Sequence, residues 1–222
     1  MTVTPETIEQ WLDSEDLGDR LRAVNQMRTL DPTIAFGLIQ KAVADANARV
    51  RYAAVSQLST LGTQDLPLTL EILRDRMQND SEADVQAAAA DAVGALHLQE
   101  AYPDLQTLYT RTPEWLVKMS IVAALGELGA SQGFDLLADA LNQENELIQT
   151  VAIGALGELQ DERAVPLLIP YISSPDWQVR HRVAQALAKF GRADVHQALQ
   201  QLATDEVEPV AEAARAGLND LV

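Results

Sequence analysis

The sequence contains no cysteine. That excludes disulfide bridges, thiol nucleophiles, and zinc or iron–sulfur centres held by cysteine. Aromatic residues are scarce at 5%. Strands draw on aromatic and β-branched side chains, so the Ala- and Leu-rich apolar content favours helices. Basic residues are in deficit, 16 against 33 acidic ones, for a formal charge of −17. A field of that sign repels phosphate backbones and anionic lipid surfaces, which argues against nucleic acid and membranes as partners. No stretch approaches the roughly 18 apolar residues of a membrane span. The opening residues "MTVTPETIEQW" show neither a basic nor an apolar leader pattern, so a cytoplasmic protein is expected. There is no GxSxG, P-loop or dinucleotide fingerprint. His97, His181 and His196 are never three or four residues apart, and no metal site is expected from them.

What the chain does have is a repeat. "DRLRAVNQMRTLD", "VRYAAVSQLSTLG", "VQAAAADAVGALH", "IQTVAIGALGELQ" and "VAEAARAGLNDLV" are variants of one helical pattern. Aligning them gives seven anchors at Asp19, Val50, Val85, Val117, Ile148, Val179 and Val210, spaced by 31 to 35 residues. Apolar residues recur 4, 8 and 11 residues after each anchor, and at the anchor itself in six of the seven copies, from Met27 and Leu30 in the first copy to Leu218 and Leu221 in the last. Those positions share one face of a helix. Gly62, Gly129 and Gly191 fall twelve residues after their anchors, where a left-handed helix cap is expected. Shorter amphipathic segments such as "PETIEQWL" and "DVHQALQQLAT" lie between these B helices and are read as A helices. Pro166 and Pro170 fall inside one A helix, which is expected to kink.

A pair of helices cannot bury both apolar faces alone, and stacking such pairs builds a continuous core. The expected fold is therefore all-α: a right-handed α-solenoid of about seven helix pairs with a ~31-residue period. Residues 1–222 are read as one domain, with repeats at 4–30, 32–62, 66–97, 101–129, 131–160, 162–191 and 193–222.

The pattern Asp-Trp-apolar-Arg followed by an Ala-rich helix, with "ALGELG" and "DERAVPLL", resembles short HEAT repeats. The clearest stretches are Gly157–Gly191 and Glu114–Leu141. Their flavour is similar to the cyanobacterial HEAT-repeat family that includes the phycobilisome-degradation protein and the E/F-type phycocyanobilin lyases. The resemblance implies a non-catalytic scaffold that binds a phycobiliprotein or another antenna protein in phycobilisome degradation or remodelling. It also implies two alternatives: a bilin lyase-like enzyme that attaches or detaches phycocyanobilin, and a partner protein in iron–sulfur assembly. No cofactor of the chain's own is expected, phycocyanobilin being the one ligand that the resemblance brings in. The oligomeric state stays open.

Within each B helix, positions 2, 6 and 9 after the anchor share a face that avoids the expected core. They include Tyr52, Ala87, Met119 and His181, then Asp91, Ala123, Gly154 and Gln185, then Gly126 and Gly157. Two readings stand: a shallow groove for a partner helix or a flat tetrapyrrole, or tight packing between neighbouring B helices. Trp115 and Trp177 both lie two residues before an anchor, either as partner anchors or as caps on the junction between repeats. Arg51 and Arg180 share position 1 and are expected in a ladder of ion pairs to Asp residues of the next repeat. His181, on this face, is placed to act as a general acid or to bind a propionate. Residues 77 to 162 hold 15 acidic residues and two basic ones, Arg111 and Lys118. This acidic middle is either a solvated outer face or a device that orients a partner.

Overall fold

A computed structural model describes residues 3–220; Leu221, expected in the core, lies outside the described residues. The described residues form fourteen α-helices joined by short turns and 3-10 segments, with no strand. They fall into two compact units, Met1–Ala124 and Leu125–Val222, the division lying inside one helix.

The first unit pairs α1 (Pro5–Leu12) with α2 (Leu17–Gln26), α3 (Pro32–Ala42) with α4 (Ala48–Leu61), and α5 (Leu66–Asn79) with α6 (Ala83–Ala95). It continues through α7 (Tyr102–Arg111) into α8 (Trp115–Leu128). Helix starts follow from side-chain caps that satisfy free amides of a first turn. Asp16, Asp31, Asn47 and Asp65 accept from the amides of Asp19, Thr33, Arg49 and Leu68. Pro5 and Pro32 open their helices, where a missing N–H is harmless. The four residues Gln64–Pro67 hold the end of a 3-10 turn, the capping Asp65 and the first residues of α5.

The second unit starts with the last turn of α8. It continues with α9 (Phe134–Ala140), α10 (Glu146–Leu159), α11 (Val165–Leu168), α12 (Trp177–Leu187), α13 (Ala193–Leu202) and α14 (Glu208–Asp220). The expected kink at Pro166 and Pro170 is a break. α11 is one turn long and passes into a 3-10 segment, Ile169–Ser173. Pro170 has no N–H for the helical bond to Pro166, and its ring crowds the preceding turn.

Position 4 after the anchor is buried in all seven copies, from Ala23 to Ala214. Positions 5 and 7 are buried in most copies too, as at Val24, Val55, Ala92 and Ala155. The even-numbered helices thus bury a wider stripe than expected, because they pack both on A helices and on one another, as α4 does on α3 and α6. Two anchors, Asp19 and Val179, are only half-buried, as are Leu30, Leu61, Leu96 and Leu218.

The left-handed caps fall partly where glycine was not. Gly129 has φ +62° as expected, but the other left-handed residues are His97 (φ 50°) and Gln160 (φ 53°), each also twelve residues after its anchor. Gly62 is right-handed, with φ −61°. Its glycine answers a different need: a Cβ there would sit 2.6 Å from Thr69 Cγ2 and 2.9 Å from Leu96 Cδ1. Gly191 has neither a positive φ nor a close neighbour.

Candidate functional site

Position 1 carries the strongest polar links. Arg51 grips Asp80 with two hydrogen bonds, Nε to Oδ2 at 2.7 Å and Nη2 to Oδ1 at 2.8 Å. Arg180 grips Asp205 likewise, at 2.6 and 2.9 Å. Arg20 stands 2.9 Å from Asp45, although its Nε is off the hydrogen-bonding direction. Each guanidinium also donates through Nη1 to a carbonyl six residues back, at Ser14, Asp45 and Ser174. The planar fork of arginine suits this double duty. Hydrogen bonds from Arg180 and the Val207 amide hold the Asp205 carboxyl below its ordinary value. For Asp80, burial pushes upward, but Arg51 and the Glu82 amide outweigh it and the net direction is down.

A pairing rule runs beneath these rungs. Each acid lies five residues before the anchor of the following repeat. That place holds Asp45, Asp80 and Asp205 after Arg20, Arg51 and Arg180. After Gln86, Lys118 and Gln149 it holds Thr112, Gln143 and Ser174, none of them acidic. Arginine and aspartate occur together or not at all. The glutamines keep the local bond, Gln86 to the Asp80 carbonyl at 2.9 Å and Gln149 to the Gln143 carbonyl at 2.7 Å. The place before the anchor also keeps one duty, accepting the amide two residues on: Asp45 from Asn47, Thr112 from Glu114, Ser174 from Asp176.

The small residues divide into two kinds. Gly126 and Gly157 are buried and line no groove. A Cβ on Gly126 would meet Ala155 Cα at 2.7 Å, and one on Gly157 would meet Ala186 Cα at 2.7 Å. The obstacle is backbone, so these glycines let neighbouring even helices touch. In the last step the roles reverse: Gly217 faces Ala188, whose Cβ lies 2.5 Å from the missing one. Ala87 is also buried and offers no groove surface. Gly154 differs. It is half-buried, and a Cβ there would stand 3.5 Å from Arg182 Cδ, an ordinary contact.

Other expected positions remain open. Tyr52, Trp115 and Trp177 are 48%, 47% and 42% exposed, high for such large apolar side chains. Met119, Ala123 and His181 are half-buried and Gln185 is exposed. Asp91 is exposed, yet desolvation by the protein around it raises its carboxyl from the ordinary value despite a hydrogen bond with the buried Ser120.

In the second unit α10, α12 and α14 enclose a depression of about 500 Å³. Gly154 and Gln185 line it, as do Arg182, Glu158, Lys189 and Ala213. These are positions 3, 6 and 10, so the open face is rotated by about one residue from the expected 2, 6 and 9. His181 and Trp177 lie off its wall. Lys189 is ion-paired with Glu158 across it. Among the described residues no group of three or more His, Asp or Glu side chains converges as a metal would require. No helix among them is long and apolar enough to cross a membrane.

The family of HEAT repeats matches residues 5–94, 70–153 and 134–219. The chain is a HEAT-repeat protein. Its α-solenoid fold class follows from that membership and the all-helical architecture. This HEAT-repeat chain is 27% identical to bovine deoxyhypusine hydroxylase over 118 residues, and 26% identical to the human protein over the same length. The match takes in 52% of the chain but only 39% of either relative. Among solved structures it is similar to the complex of CpcE and CpcF of phycocyanin lyase from Nostoc sp. PCC7120. The TM-score is 0.65 at 21% identity, covering 100% of this chain and 96% of that one. It is also similar to Kap95p bound to RanGDP, with a TM-score of 0.61 at 15% identity, over 97% of this chain and 35% of that one. Arg182, Lys189 and Glu158 were missed because a repeat pattern reports which residues are buried, not which way the remaining face tilts. The ladder was expected from Arg51 and Arg180; that Arg20 joins it, and that each acid stands five residues before the next anchor, was legible but left unread.

Proposed function

We propose that this HEAT-repeat chain is a non-catalytic scaffold of the cytoplasm that binds a phycobiliprotein in phycobilisome degradation or remodelling. The observation that carries this is the fold likeness to a phycocyanin lyase complex over the whole of this chain and nearly all of that one. Repeat arrays use their open faces to hold partners. Here the second unit carries the depression and, off its wall, the exposed Trp177; the first unit carries the exposed Tyr52 and Trp115. Large amphipathic rings of this kind serve as anchors in protein interfaces.

Calorimetric titration of the full chain with purified phycocyanin tests the proposal. Saturable binding that weakens when Trp115 and Trp177 are replaced by Ala is the expected result. No heat and no co-migration on sedimentation, with phycocyanin or another phycobiliprotein, would overturn it. The same likeness supports a second reading, a lyase-like enzyme acting on phycocyanobilin. A shift in phycocyanobilin absorbance and chromophore transfer in the presence of the chain would favour that reading.

A further inference from the structure

The second unit is strongly acidic, with 15 acidic residues and six basic ones. Such an excess leaves a cation little chance of staying single. Five of the six are paired: Arg163 with Asp161, Arg180 with Asp205, Lys189 with Glu158, Arg192 with Glu162 and Asp194, and Arg215 with Glu208. Among the described residues of the second unit only Arg182 has no acid partner, and it borders the depression between α10, α12 and α14. Lys189 and Glu158, which also line it, neutralise each other, so the depression keeps a single uncompensated positive charge.

Gly154 faces Arg182 from α10. Glycine inside a helix is unfavourable by roughly 1 kcal/mol relative to alanine. Packing demands it at Gly126 and Gly157 but not at Gly154, where a Cβ fits. What the missing methyl provides is room beside the guanidinium.

We propose that this depression receives an acidic side chain of the protein partner and that Arg182 binds its carboxylate. The proposal rests on the scaffold reading and names the chemistry of its contact. A guanidinium presents parallel donors that match a carboxylate. A phosphate-dense polymer would meet the field of the whole chain, whereas one carboxylate meets the local charge. A small free carboxylate gains little at an open, solvated guanidinium, because water and salt screen the pair. A protein surface that covers the depression excludes that water and makes the pair count.

Two probes separate this inference from the reading beneath it. The first is purified phycocyanin, titrated into the full chain at low and moderate salt. Arg182→Gln is expected to weaken binding about tenfold or more and flatten the salt dependence, with Arg182→Lys in between. Arg49→Gln removes an equal charge elsewhere and is expected to bind as the wild type does. The second probe is an alanine-rich helical peptide with Glu at two successive turns, followed through the arginine side-chain N–H signals of the labelled chain. The Arg182 signal is expected to move, and not with a Gln version of the peptide. Phycocyanin binding that ignores Arg182, or that falls equally with Arg49→Gln, overturns the inference and leaves the scaffold reading standing. A peptide response at Arg182 without phycocyanin binding upholds the carboxylate site and overturns that reading. Silence from both probes overturns both.

Discussion

The two units join their even-numbered helices in different ways. In the first, side chains bridge. The rungs Arg20–Asp45 and Arg51–Asp80 follow one another, the buried Gln57 amide donates to the Val24 carbonyl at 2.8 Å, and Ser120 is hydrogen-bonded with Asp91. In the second, backbones touch. Gly126 lies on Ala155, Gly157 on Ala186 and Gly217 on Ala188, with the single rung Arg180–Asp205. One repeat pattern thus tolerates two junctions, polar reach or glycine contact. They should fail differently: a bridge loses its bonds when one partner goes, whereas a contact fails when volume is added.

The largest effect is expected at a glycine contact. Gly157→Val would force a branched side chain against Ala186 Cα and lower stability by about 3 kcal/mol, read as the midpoint shift in urea. Gly157→Ala should lose less. Adding Ala186→Gly should recover part of that loss: it removes the Cβ at 2.8 Å and gives the residue pairing that Ala188 and Gly217 already use, but leaves Ala186 Cα 2.7 Å from the added methyl. Helix propensity cancels in the exchange, so recovery reports the contact alone.

The next effect belongs to a bridge. Asp205→Ala leaves the Arg180 Nε and Nη2 without their acceptors and should lower stability by about 2 kcal/mol. Its pH dependence follows from the depressed carboxyl. The folded value lies below the unfolded one of about 3.9. The contribution is therefore full above about pH 4 and is lost as pH falls through the folded value. Wild type and Asp205→Ala should converge in stability on acidification, and curves that stay parallel from neutral pH to strong acid would contradict this assignment. Gly157→Val should show no such convergence.

Most of the fold was legible because burial writes itself into spacing. Val50, Ala54 and Leu58 recur one period later as Val85, Ala89 and Val93, and all six are buried. The junctions were less legible. Gly126 and Gly157 looked the same as Gly154 on a helical wheel, yet two are pressed against backbone and one is open. The difference depends on how each helix tilts against its neighbour, which no single-helix pattern records. Arg182 stayed hidden for the same reason, since a turn of about one residue moves it from a side wall to the rim of the depression.

The missing rungs allow a constructive test. Gln149→Arg combined with Ser174→Asp supplies both halves of the pairing rule in the second unit. The arginine keeps the bond to the Gln143 carbonyl that Gln149 makes now. The aspartate keeps the amide of Asp176 that Ser174 accepts. Only the new ion pair is added, so the double-mutant cycle should give a favourable coupling of about 1 kcal/mol. Coupling near zero would mean that the rungs depend on more than their two residues.

The smallest effect sharpens the contrast most. Gly154→Ala should raise stability by about 0.5–1 kcal/mol, because the added methyl meets Arg182 Cδ only at ordinary contact distance and glycine's helical penalty is removed. The same change at Gly126 should destabilise, since its methyl would meet Ala155 backbone. If the depression receives a partner's carboxylate, the more stable Gly154→Ala chain should also bind phycocyanin more weakly, the methyl having filled the space beside the guanidinium. Stability and binding would then move in opposite directions at one residue. A site kept as glycine for packing cannot produce that pattern, because there a loss of binding would come only with a loss of stability.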